Sequence, residues 1–348
     1  MSLELRKFCN FLRISCVVLL FLVTSCNKLI DDVVREYSFS LESNAVVYDN
    51  NSHSAFTGLI NYKGNLYLSF REGISHRPAT PADYGVIKVL VSDGTRWTEC
   101  AVIKDETKDL RDPFLVEVEG KLRVYIGYNT FEGDRYQHSG SVFADYDGQR
   151  WSDVKPLSHD VPHIVWLWKV RKFENLYYSV AYLEGEKPAL LSSADGVSWK
   201  TVTLFNLEGV LSEADMGFIG STMYVCLRKD QPVGSLSWWG VSKYPFDSFS
   251  WTEMTSCIES PELVRLPYSK SLLLAGRERV QESETVNVSL FSVTPEGELN
   301  RISTMISEES GDRGYPGMAV IGNKLFCSYY TGHESLSRIM MATFGIEY

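Results

Sequence analysis

Apolar and polar positions along this chain alternate in short runs, such as Leu66-Tyr67-Leu68-Ser69-Phe70, and no window sustains a helical period. Runs rich in Tyr, Val, Phe and Leu, bounded by Gly, Asn and Asp, predict strands joined by tight turns, so the chain is expected to be all-β. Two markers then recur about every 50 residues, the period of propellers and arrays. One is a turn followed by an aromatic: Asp93-Gly94 before Trp97, Asp147-Gly148 before Trp151, Asp195-Gly196 before Trp199, and Asp247-Ser248 before Trp251. A weaker copy is Glu296-Gly297 before Leu299. The other is a hairpin whose return strand opens at Leu66, Leu122, Leu176, Met223, Leu272 and Leu325. Six hairpins predict a six-bladed β-propeller, each blade a four-stranded antiparallel sheet, over residues 37–348. The strand-like segment 37–49 is expected to complete the last blade, a closure that removes exposed sheet edges.

The N-terminus changes the picture of where the chain works. Arg6, Lys7 and Arg13 precede an apolar stretch from Ile14 to Val23, followed by Thr24-Ser25-Cys26. The stretch is about half of what a spanning helix needs, so residues 1–25 read as a cleaved signal peptide. Its end resembles a bacterial lipobox, which makes Cys26 the acylated first residue of the mature chain and 26–36 a tether. An exported lipoprotein of the outer membrane is expected, held to the membrane through that lipid alone. The formal charge of −10, with no basic run, argues against nucleic acid as a partner. Cys100, Cys226, Cys257 and Cys327 lack the close pairing of a zinc site, and neither a metal nor a cofactor is expected. Two disulfides are open to an exported protein, but scattered single cysteines in strands read better as small buried hydrophobes.

Register supplies the candidate chemistry. The start of a hairpin's first strand and the end of its second lie side by side. Ten residues before the six markers stand Phe56, Asp112, Trp166, Glu213, Glu262 and Tyr315, and five after them Arg71, Gly127, Ala181, Arg228, Arg277 and Tyr330. Arg71, Arg228 and Arg277 are thus expected to face a common axis. Clustered guanidiniums repel one another, so their gathering points to an anion between them, a carboxylate above all. Asp112, Glu213, Glu262 and Tyr315 on the same face point beyond anion binding to glycoside chemistry, which needs an acid and a nucleophile or base. If the anomeric carbon carries a carboxylate, a neutral tyrosine activated by a glutamate suits better than an anionic nucleophile. Trp166, Trp168, His76 and His333 are candidates to stack on or hydrogen-bond a sugar.

The turn-aromatic copies resemble the Asp-box of sialidases, and Leu68-Ser69-Phe70-Arg71-Glu72-Gly73, Leu110-Arg111-Asp112, Trp166-Leu167-Trp168-Lys169 and Gly314-Tyr315-Pro316-Gly317-Met318 resemble exo-α-sialidase-like propellers. The resemblance implies that Arg71, Arg228 and Arg277 bind the substrate carboxylate, that Tyr315 is the nucleophile and Glu213 the base that polarises it. It implies that Asp83, in the loop after Arg71, protonates the leaving oxygen; Asp112 competes for that role on register. The Arg-Ile-Pro usual around the first arginine is absent, Phe70-Arg71-Glu72 standing there. The implied activity is an exo-acting retaining glycosidase that removes a terminal α-linked sialic acid or related 2-keto sugar acid from a glycan, with Asp112, Glu262 and Trp166 as further substrate contacts. A noncatalytic glycan-binding propeller, or a propeller glycosidase or lyase acting on another polysaccharide, are the alternatives.

Overall fold

A computed structural model describes residues 34–348 apart from 164, 184–186, 310 and 334–335; the signal peptide and Cys26 lie outside the described residues. Strand follows strand, and a single 3₁₀ turn, Pro81–Asp83, is the one helical piece among the described residues. Sheets of four antiparallel strands begin at Asp109–Val118, Val210–Ile219 and Cys257–Val264. The sheet that begins at Val165–Phe173 adds a fifth, two-residue strand, Ser158–His159. The sheets that begin at His53–Tyr62 and Asp312–Ile321 merge into eight strands, but only the bridge between His53 and Ser337 joins them. Dividing there leaves six antiparallel groups of four. Ser38–Tyr48 forms the outer strand of the last group by pairing with Ser337–Glu347.

The core sits between the blades. Six buried apolar clusters each join neighbouring sheets, for example Phe143 with Leu167 and Trp199, or Leu68 with Tyr330 and Met341, the latter closing the ring from last blade to first. The turn markers are built for this packing. Asp195 accepts the backbone N–H groups of Val197 and Ser198, Gly196 takes φ +68°, and Trp199 beneath stacks edge-on against Tyr125 of the preceding blade. Cys226, Cys257 and Cys327 are buried free thiols, and Cys100 is free and exposed.

One irregularity repeats with the blades and creates the site. The innermost strand of each breaks register with its partner, between Ala55 and Gly58, Arg111 and Phe114, Trp168 and Val170, Leu211 and Ala214, Glu259 and Glu262, and Gly314 and Gly317. Phe56, Asp112, Lys169, Ser260 and Tyr315 in these β-bulges have φ between +46° and +62°. A bulge bends the strand and re-aims its side chains. Here it brings Asp112 and Tyr315 to the lining of one cleft.

Candidate active site

Tyr315 is held at three points. Its N–H donates to Ser260 Oγ (3.0 Å), its carbonyl accepts from Thr57 Oγ1 (2.7 Å), and its hydroxyl donates to Glu213 Oε1. The ring lies against Phe56 (centroids 4.8 Å apart) and Trp168 (5.7 Å), with the Arg277 guanidinium 5.4 Å from its centre. Glu213 is buried, and its second oxygen accepts from Arg228 Nη1 (2.7 Å) and the Ser260 N–H (2.6 Å). Burial, together with the charges of Glu213 and Asp112, pushes the Tyr315 hydroxyl well above its ordinary range against the opposing pull of Arg277 and Arg228. Tyr315 is therefore a neutral phenol at neutral pH, hydrogen-bonded to a carboxylate.

Asp112 stands on the second blade at the equivalent bulge. Its carboxyl is pushed up to about 7, mainly by burial; Arg111 pulls the other way and Glu213 adds to the rise. Its Oδ1 has no hydrogen-bond partner among the described residues. Asp112, Glu213, Arg228 and Tyr315 line one cleft of about 380 Å³ together with His76, Arg111, Tyr136, Trp168, Tyr182 and Asp230. A carboxyl that exchanges its proton near neutrality and a tyrosine bonded to a glutamate thus share one cavity.

The expected arginine triad is not assembled as such. Arg228 lines the cleft but faces three carboxylates, Glu213 at 2.7 Å, Asp230 at 2.6 Å and Glu259 at 3.3 Å. Arg277 lies beside Tyr315 and pairs with Glu259 (3.3 Å) and Asp312 (3.1 Å). Arg71 does not reach the cleft. It is 0% exposed, sealed by Asp109 at 2.8 Å and the Ser75 carbonyl at 2.9 Å. Gly85 is bare because a Cβ there would come within 2.4 Å of the Arg71 Nε.

Other candidates also part from the cleft. The Asp83 carboxylate accepts from the Thr80 N–H (3.0 Å) and Oγ1 (2.9 Å), capping the 3₁₀ turn, and lines no part of the cavity. Glu262 falls just past its bulge and lies buried between Lys169 (2.7 Å) and Arg171 (2.9 Å), the latter shared with Asp215. Trp166 packs so closely on Gly127 that a Cβ there would sit 2.1 Å from its ring, and it stacks on Tyr182; the neighbouring Trp168 lines the cleft in its stead. His333 lines a separate groove with Asn51 and Ser52.

Arg111 is the residue that register reasoning missed. It lines the cleft next to Asp112 because the bulge lets two successive residues reach the same side. His76 donates from Nδ1 to Asp312 (2.7 Å) and accepts at Nε2 from Arg111 (3.3 Å). His53, His76 and Asp312 present ligand-type atoms within 4.8 Å of one another. Neither His53 nitrogen has a hydrogen-bond partner among the described residues, whereas His76 and Asp312 form a hydrogen-bonded link between the guanidiniums of Arg111 and Arg277.

No protein-family model matches the sequence, and no curated protein matches it. The fold has clear counterparts. Trypanosoma rangeli sialidase, in complex with the inhibitor DANA, superposes with a TM-score of 0.58 at 12% identity over 89% of this chain and 60% of that one. The phage phi92 endosialidase gives 0.65 at 8% identity over 88% and 69%. The NanB sialidase of Streptococcus pneumoniae gives 0.63 at 10% identity over 87% and 70%. The chain thus spans about 60% of the length of the trypanosomal enzyme. At these identities the likeness is one of architecture, and the chain has the sialidase-type β-propeller fold.

Proposed function

We propose that this protein is an exo-acting retaining glycosidase that removes a terminal α-linked acidic sugar, of the sialic acid or related 2-keto type, from glycans. The observation that carries the reading is the Tyr315 hydroxyl bonded to buried Glu213 in the same cleft as Asp112, whose carboxyl titrates near 7. The fold neighbours include a sialidase described with sialic acid, which supports an acidic sugar as substrate.

In the first step the Tyr315 oxygen attacks the anomeric carbon as its proton passes to Glu213, and Asp112 gives its proton to the leaving oxygen. The glycosidic bond breaks and a tyrosyl-sugar bond forms. In the second step the Asp112 carboxylate takes a proton from water, the hydroxide oxygen displaces Tyr315, and Glu213 returns the proton to the phenolate. Two inversions give retention. A neutral phenol avoids setting an anionic nucleophile against the sugar's own carboxylate. Asp112 takes the proton-donor role that the resemblance assigned to Asp83, because Asp83 is spent on a turn outside the cleft.

The test is release of sugar from a panel of sialosides and other ulosonosides by the purified protein. Tyr315→Phe and Asp112→Asn are each expected to lower kcat by roughly 10² or more, and Asp83→Ala to leave it nearly unchanged. No release from any member of the panel, or full turnover by Tyr315→Phe, overturns the proposal. The order of residues 6–26 further supports export and acylation at Cys26.

A further inference from the structure

We infer that the cleft contains a carboxylate-binding site made by Arg111 and oriented by His76, in the role that sequence position assigned to Arg71. The inference rests on the proposed glycosidase reading and names the group that recognises the sugar's charge.

Charge balance carries it. Arg228 faces three carboxylates and Arg277 two, so both are already neutralised. On the other side of the cleft two guanidiniums share one carboxylate. Asp109 binds Arg71 at 2.8 Å and also serves Arg111 at 3.4 Å, the Gly85 N–H at 2.6 Å and the Tyr136 hydroxyl. Asp112, whose carboxyl is pushed up to about 7, carries only part of a negative charge near neutral pH and offsets only part of the excess. A buried surplus cation is costly unless an anion joins it, and a planar guanidinium matches a carboxylate. Of these two, Arg71 is sealed and Arg111 lines the cavity, where it can meet that anion with Arg77 and Arg135 on the same lining.

Geometry places the guest beside the nucleophile. The Arg111 guanidinium lies 4.7 Å over the Phe56 ring, and His76 and Tyr315 meet the same ring at 5.3 and 4.8 Å. Phe56 occupies the first blade's bulge, where it supplies a floor and no charge. His76 holds Arg111 through its carbonyl oxygen (2.7 Å) and Nε2 (3.3 Å), and Asp312 fixes the imidazole from the other side. His76 is thus a positioning residue for Arg111, and the Asp312 that fixes it also binds Arg277.

The experiment compares binding of sialic acid and of its C1 methyl ester to the full chain in detergent, by titration calorimetry. The parent is expected to prefer the acid at least tenfold. Arg111→Gln should bind both probes alike, Arg111→Lys, which keeps the charge without the fork, should retain part of the preference, and His76→Gln should reduce it. A folding defect would weaken both probes together, so the ratio isolates the carboxylate. No preference in the parent, or an acid-to-ester ratio in Arg111→Gln as large as the parent's, overturns the inference. A parent that cleaves glycosides through Tyr315 without preferring the acid sinks this inference alone; one whose turnover ignores Tyr315→Phe sinks the glycosidase reading.

Discussion

Replacing Asp112 with asparagine probes the electrostatics of the cleft without any substrate. The carboxyl titrates near 3.8 in an unconstrained chain and at about 7 in the fold, where burial is the main cause. Between those values the native state holds a proton that the unfolded state has lost, so this group makes stability fall as pH rises from about 4 to 7. Each pH unit across that window is ~1.4 kcal/mol, or ~4 kcal/mol for the whole interval. Asp112 is only partly buried and faces the cleft, and screening by water there reduces the expected figure to about 2 kcal/mol. Asparagine cannot ionise. Asp112→Asn should therefore be more stable than the parent by about 2 kcal/mol at pH 8, a rise in Tm of a few degrees, and little different at pH 4.5. The same substitution removes the proposed acid, so stability and turnover should move in opposite directions. In the parent, kcat/KM should decline above about pH 7 as Asp112 gives up its proton. Thermal unfolding at the two pH values, paired with the rate profile, reads both effects. A variant less stable than the parent at pH 8, or a gain of equal size at both pH values, would refute this account of the cleft.

Two further outcomes are expected. Arg71→Met leaves Asp109 buried without its main partner, which should cost about 3–5 kcal/mol and show as a loss of folded protein in a thermal melt; a stable variant with only a raised KM would return Arg71 to the substrate. Cys26→Ser should abolish incorporation of labelled palmitate into the chain in a bacterial host, and labelling that persists would remove the proposed anchor.

The fold was legible because its signals are local and periodic. Turns such as Ser193-Ala194-Asp195-Gly196 need an acceptor side chain and a residue tolerant of positive φ, and the tryptophan that follows marks where the next blade packs. Counting ten residues back from each hairpin found Phe56, Asp112, Glu213 and Tyr315 in four bulges. The same count failed on the third and fifth blades, where the bulges lie at Lys169 and Ser260 and so leave Trp166 and Glu262 outside the cleft. Hairpin length sets the end of a strand but not where an extra residue enters it. Arg71 was misplaced for a different reason. Its register matches Arg228 and Arg277, but Asp109 from the next blade seals it, and a contact between residues 38 apart leaves no trace in local pattern.

Arg111 shows what the bulge does for the chemistry. In a regular strand adjacent side chains point to opposite faces, so placing Asp112 toward the cleft places Arg111 away from it. At φ +46° Asp112 breaks that alternation, and both residues line the cavity. Ser212 and Glu213 do the same on the fourth blade. A left-handed conformation at a residue other than glycine costs about 1–3 kcal/mol and persists only where the surroundings fix it. At Tyr315 the fixing contacts come from three other blades, through Thr57, Ser260 and Glu213. The strain is thus held by the same groups that place the hydroxyl on its glutamate. It follows that Ser260, which donates its N–H to Glu213 and accepts the N–H of Tyr315, couples Glu213 to Tyr315 through one residue that no motif singled out.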